Sequence, residues 1–158
     1  VLNDGSVTLA KLASARCLVH NSANQLIPNI TNVALIWDVE DEDTAGIHDN
    51  VTNNSRLTVP SGYTRARITS SFRFSASGAG NVRTVYLTKN GIAFNGMGFM
   101  SVPPVQGGVL GTDLCVVSGI VAVTPGDYFT VAVYQDSGGS LNVFGGAGIA
   151  SAMLELWA

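Results

Sequence analysis

A chain of 158 residues with a formal net charge of −3 and only eight Lys plus Arg is long enough for one domain with a sizeable core. It lacks the basic face that phosphate binding needs, which excludes nucleic acid as a partner. Charged residues make up 12% of the chain and hydrophobic ones 46%, about half the usual share of charge, so part of the surface is expected to be buried against copies of the same chain.

Residues 1–14, VLNDGSVTLAKLAS, show neither strand alternation nor a capped helix and are expected to form a linker. The chain opens on Val1, as expected of a fragment or a processed product. No apolar run approaches the roughly 18 residues of a membrane span, and no charged-then-apolar leader is present, so neither membrane insertion nor a signal peptide is expected. From Arg16 onward, punctuation by Gly, Pro, Asn and Asp predicts strands over 16–21, 33–39, 56–59, 63–75, 82–88, 92–100, 114–124, 128–135 and 147–157. Short strands at that spacing give a sandwich or a barrel.

Alternation assigns the faces. In 63–75, Ala66, Ile68, Phe72 and Phe74 fall on the core side, with Tyr63, Arg65, Arg67, Thr69, Ser71 and Arg73 opposite. In 128–135 the core side holds Phe129, Val131 and Val133, leaving Tyr128, Thr130 and Tyr134 outside. With Val85 and Leu87 in the core, Thr84, Tyr86 and Thr88 are expected to be exposed. In the last strand Leu154 and Leu156 are opposed by Met153, Glu155 and Trp157.

Asp43, Thr44, Gly46, His48 and Asp49 spell D-T-x-G-x-H-D, followed by a polar loop, the short strand 56–59, a turn at Pro60 and Gly62, and the long strand 63–75. Lys89-Asn90-Gly91 then closes one strand and Pro125-Gly126-Asp127 precedes another. In order and spacing these parts resemble the C1q/TNF-like jelly rolls, especially those at the C-terminus of bacteriophage tail fibres and tailspikes, over roughly residues 15–158. Residues 4–13, DGSVTLAKLA, are similar to segments that recur along phage fibre shafts, so 1–14 reads as a linker or shaft remnant.

The resemblance implies an all-β jelly-roll β-sandwich that forms a homotrimer, exposed on the virion to the extracellular medium. It pairs the last strand with the one from Tyr63, so that Glu155 and one of Arg65 or Arg67 meet across strands. That side, with Met153 and Trp157, packs against the other subunits around a threefold axis in the family. Cys17 and Cys115 would lie on the first and sixth strands, which are not neighbours, whereas a disulfide needs Cα atoms within about 7 Å. Both are therefore expected to be buried, reduced thiols, as in a protein assembled in a reducing bacterial cytoplasm.

Candidate chemistry is sparse. Asp38, Glu40, Asp41, Glu42, Asp43 and Asp49 crowd one segment, and such density can bind Ca²⁺. The spacing does not match an EF-hand, and alternation would send successive carboxylates to opposite sides. A solvated acidic loop at a strand end is the preferred reading, with Glu40, Glu42 and Asp43 as the candidate Ca²⁺ ligands. His48 beside Asp49, with Ser55 or Ser61 nearby in sequence, has no nucleophile elbow and no triad spacing, so no enzyme and no cofactor are expected. His20, on the first strand, is expected to be structural. The glycine-rich segments 107–111 and 138–148 lack the strand-to-helix context of a phosphate loop and are read as turns.

Exposed Tyr86, Tyr128 and Tyr134 among Thr, Asn and Gln suit sugar rings. The chain is accordingly expected to trimerise and attach a tail fibre or tailspike to a host-surface polysaccharide. A pure trimerisation domain without receptor contact, and a secreted C1q-like lectin or signalling domain of cellular origin, share the same fold. For the latter, Asn29-Ile30-Thr31, Asn50-Val51-Thr52 and Asn53-Asn54-Ser55 fit the glycosylation pattern.

Overall fold

The longest strand forms where alternation is cleanest. Arg65–Phe74 buries Ala66, Ile68, Ser70, Phe72 and Phe74 and turns the residues between them outward. The computed structural model describes residues 14–93, 98–105 and 111–158. In chain order its strands are β1 (Ser14–His20), β2 (Gln25–Ile27), β3 (Val33–Ala34), β4 (Val39–Asp43), β5 (Leu57–Thr58), β6 (Arg65–Phe74), β7 (Arg83–Lys89), β8 (Ile92–Ala93), β9 (Phe99–Val102), β10 (Thr112–Val117), β11 (Val121–Ala122), β12 (Tyr128–Gln135), β13 (Leu141–Val143) and β14 (Ser151–Trp157). There is no helix among the described residues.

Two antiparallel sheets face each other. The larger runs β2-β13-β6-β14-β1-β4, with β10 and β11 along the other side of β6; the smaller runs β3-β12-β7-β8, with β5 beside β12 and β9 beside β7. Between them Cys17, Val19, Trp37, Ile68, Phe72, Phe74, Val85, Leu87, Phe129, Val131 and Leu154 form one apolar layer. Phe72 and Phe74 meet edge to face at 5.7 Å. Each large apolar side chain so buried contributes about 1.5–3 kcal/mol. This is the all-β, jelly-roll sandwich that the strand pattern and the resemblance imply.

Several boundaries are corrected. The expected linker 1–14 lies outside the described residues except Ser14, which already belongs to β1. The single strand expected over 33–39 is two, because the chain leaves β3 at Ala34, buries Leu35 and Trp37 between the sheets, and re-enters the large sheet at Val39. The acidic segment is therefore not a loop after a strand but is itself β4, paired with β1. The segment 138–148 contains β13, which pairs with β2, a strand the sequence did not announce. Of the expected strand 92–100, residues 94–97 lie outside the described residues, as do residues 107–110 of the glycine segment 107–111. The strand expected over 114–124 breaks at Ser118, whose Oγ accepts from Ile68 N at 3.0 Å.

β7 also turns Arg83 inward, on the side of Val85 and Leu87. Its side chain is fully buried and donates to the carbonyls of Val82 (2.8 Å), Ala79 (2.8 Å) and Ser77 (3.2 Å), with Asp136 at 3.6 Å. Burial pushes its pKa down while the Asp136 charge opposes that shift. Asp136 in turn accepts from Asn81 N (2.8 Å) and Val82 N (2.9 Å). One ion contact thus fixes the loop that enters β7.

Candidate self-association face

The outward face of the large sheet is ordered in bands that cross the strands, because directly paired residues of antiparallel neighbours share a face. One band runs Val117, Thr69, Met153, Leu18 across β10, β6, β14 and β1. Val117 is 48% exposed; Met153 and Leu18 are half-buried. On one side of this apolar band lies a band of small polar groups, Ser71 and Ser151, ending in Cys115. On the other side lies a charged band.

That charged band alternates in sign across four strands. Arg67 on β6 grips Glu155 on β14 through Nε at 2.8 Å and Nη2 at 2.6 Å, both to Oε2. Glu155 pairs in register with Arg16 on β1, and Arg16 Nε donates to Glu42 Oε2 at 2.7 Å. The Glu42 hydrogen bond and charge raise the Arg16 pKa. Of the two arginines open at the sequence level, the structure brings Arg67 to Glu155. Arg65 pairs in register with Trp157 instead, and its guanidinium donates to Thr64 O at 3.4 Å. Trp157 is half-buried, with the Arg67 guanidinium 6.0 Å from its ring centre. A concavity of about 310 Å³ opens on this end of the face, lined by Ser14, Arg16, Glu42, Thr44, Glu155 and Trp157 among others.

The acidic run resolves into separate partnerships, as alternation along a strand demands. Asp38 accepts from Ser22 N at 2.7 Å and Ser22 Oγ at 2.5 Å. Glu40 meets His48 Nδ1 at 3.0 Å, Asp41 meets His20 Nδ1 at 2.8 Å, and Asp43 accepts from Ala45 N (3.1 Å) and His48 N (2.9 Å). Glu40, Glu42 and Asp43, the candidate Ca²⁺ ligands, are thus engaged by protein groups, Glu40 and Asp43 at His48 and Glu42 at Arg16. Among the described residues no group of three or more His, Cys, Asp or Glu converges on one point. The His48 side chain is fully buried, and its Nε2 lies 3.1 Å from Asn54 O. Both ring nitrogens therefore face acceptors, and neither is left for Ser55 or Ser61.

The two cysteines differ. Both are free, Cys17 buried and Cys115 exposed, which corrects the expectation that both are buried. In β10, Leu114 and Val116 take the core side, so Cys115 must face outward. Strands β14 and β6 separate β1 from β10, about 14 Å at the usual strand spacing. Burial, then the charges of Asp43, Glu40 and Glu42, push the Cys17 thiol up to about 12. Iodoacetamide at neutral pH should leave Cys17 unlabelled on the folded protein and label both thiols after unfolding without reductant. Intact mass reads the result, and an unlabelled unfolded chain would contradict the strand order.

On the small sheet, Thr84 (8% exposed) and Thr88 (6%) are buried rather than exposed, because each hydroxyl pairs across strands. Thr84 meets Ser101 at 3.0 Å, and Thr88 meets Thr130 at 2.6 Å. Tyr86, Tyr128 and Tyr134 are half-buried. Tyr128 lies beneath the Arg56 guanidinium, 4.2 Å from the ring centre. It sits six residues along β12 from Tyr134, about 20 Å away. Tyr86 and Tyr134 are diagonal neighbours, since Tyr86 pairs with Ala132. Phe99, which sequence reasoning passed over, pairs directly with Tyr86 and is 66% exposed.

No protein-family model matches the sequence, and no curated protein matches it. The fold is nonetheless that of solved structures. Murine APRIL at pH 8.5 superposes with a TM-score of 0.64 at 7% identity, covering 91% of this chain and 99% of that one. Murine APRIL at pH 8.0 gives 0.62 at 6% identity, covering 92% and 100%. Eiger TNF from S. frugiperda gives 0.57 at 11% identity, covering 94% of each chain. The fold is a TNF-like jelly roll.

Proposed function

We propose that this domain closes a homotrimer through the outward face of its large sheet. In that reading it stands at the C-terminal end of a phage tail fibre or tailspike and presents its small sheet to a host-surface polysaccharide. The observation that carries the trimer is the banded face: an apolar band flanked by a ladder of alternating charges has the apolar centre and paired polar margin of a protein interface. A chain with so little charge gains most by burying that band. Attachment to sugar rests on the family resemblance and on the aromatic small sheet. Nothing in this reading calls for a cofactor or a reaction.

Light scattering on the purified chain should return three times its 16.4 kDa mass, and a stable folded monomer at micromolar concentration would overturn the assembly. The likeness to murine APRIL and Eiger TNF favours, as a second reading, a secreted TNF-like domain of cellular origin. Sequencing upstream of Val1 separates the two, since a fibrous shaft supports the phage setting and a collagen repeat or a signal peptide the cellular one.

A further inference from the structure

The small sheet presents a surface that no ion pair or core contact explains. Three rings stand on its outward side: Tyr134 on β12, Tyr86 on β7 and Phe99 on β9. Phe99 and Tyr86 are directly opposite, Tyr134 is diagonal to Tyr86, and Ala132, with no side chain beyond Cβ, sits between them. The platform crosses three strands, about 10 Å at the usual spacing. Beside the rings, Thr84 Oγ1 and Ser101 Oγ lie 3.0 Å apart. That contact uses one of the two hydroxyl protons and leaves acceptor lone pairs at the exposed Ser101. Outward-facing positions of these strands in this region are Thr84, Tyr86, Thr88, Phe99, Ser101, Thr130, Ala132 and Tyr134, with no charged side chain among them.

We propose that Phe99, Tyr86 and Tyr134, with the Thr84 and Ser101 hydroxyls, form a binding platform for a neutral glycan. The proposal rests on the attachment reading above and narrows it in two ways. First, the ligand is uncharged, because the platform offers a polyanion no cation. Second, Tyr128 is not part of the site, because it lies at the far end of β12 and its ring is already covered by Arg56. Rings with apolar faces beside hydroxyl groups match the two-sided chemistry of a pyranose, whose C–H face stacks on aromatic carbon while its rim exchanges hydrogen bonds. Among the described residues, a protein partner would find no charge on the platform to steer it. Phe99 is the ring with least to lose and most to offer. It is 66% exposed, so contact with a sugar removes apolar surface from water without disturbing the fold.

The test is retention of the full chain, in its native assembly, on an array that carries neutral oligosaccharides (gluco-, galacto- and mannooligosaccharides) and acidic ones (polygalacturonate and polysialate). Phe99→Ala, Tyr134→Ala and Phe99→Tyr are run beside the unsubstituted chain, with circular dichroism and solution mass confirming fold and assembly. The expected result is retention on neutral sugars that falls at least tenfold in Phe99→Ala and Tyr134→Ala and survives in Phe99→Tyr. Retention only on acidic sugars, or on neutral ones equally by all variants, overturns the platform and leaves glycan attachment standing elsewhere on the domain. No retention of the unsubstituted chain on any sugar overturns both. Capture of a purified envelope protein through Phe99, with no sugar retained, also overturns both and makes the platform a protein contact.

Discussion

If the proposed assembly fully desolvates the Arg67–Glu155 pair, replacing Glu155 by alanine is expected to weaken self-association by about 3–5 kcal/mol, the cost of leaving one partner of a buried ion pair stranded. In one chain the pair is partly wet, with 42% of the Arg67 side chain and 23% of the Glu155 side chain exposed. There it contributes no more than about 1 kcal/mol to folding. The substitution therefore separates the two equilibria. Sedimentation equilibrium should show dissociation at concentrations where the unsubstituted chain remains assembled, while thermal melting of the dissociated chain changes little. Arg16 sharpens the effect, because Glu155 is its in-register neighbour and Glu42 alone must then balance two arginines. An unchanged solution mass for Glu155→Ala across the micromolar range would move the interface to another face.

A second large effect is expected at the other end of the molecule. Asp136→Ala leaves the fully buried Arg83 guanidinium with only main-chain carbonyls as partners. Removing the carboxylate from a buried pair costs about 3–5 kcal/mol because the remaining charge stays desolvated. Asp136 also holds Asn81 N and Val82 N, so the loop before β7 loses its anchor in the same step. Urea unfolding should show a lower midpoint at an unchanged slope, as for loss of stability without change in the surface exposed on unfolding. The double change Asp136→Ala with Arg83→Met should recover much of the loss, since it removes the stranded charge. A single substitution that melts like the unsubstituted chain would show that the carbonyl contacts suffice.

Legibility in the sequence followed how local the determining force is. β6, β12 and β14 could be read to within two residues of their ends, except for the early start assigned to the last strand, because period-two burial against one core leaves its mark along the whole segment. The Arg67–Glu155 contact was half legible: alternation put both residues on the non-core face, and only the register chose Arg67 over Arg65. Arg83 was overlooked although the parity that places Val85 and Leu87 in the core places it there too. β4 was illegible as a strand, since consecutive carboxylates are poor strand formers on propensity. It forms because His20, Arg16 and His48 stand ready on either side, a tertiary effect. β2 and β13, three residues each, are too short to show a period. The buried threonines depended on hydroxyl partners in other strands, which no single strand reveals.

Among the described residues, β4 is the outermost strand on its side of the large sheet. A terminal strand carries a row of backbone donors and acceptors with no neighbour, and in many β proteins that row recruits strands from other molecules until insoluble polymer forms. A second copy laid along Val39–Asp43 would bring Glu40, Asp41, Glu42 and Asp43 against their own counterparts, like charge upon like. The same carboxylates that hold both histidines in place thus make this edge repel its own kind. Edge-to-edge addition is thereby opposed, which is consistent with the proposed association through the face of the sheet, where the number of copies is finite.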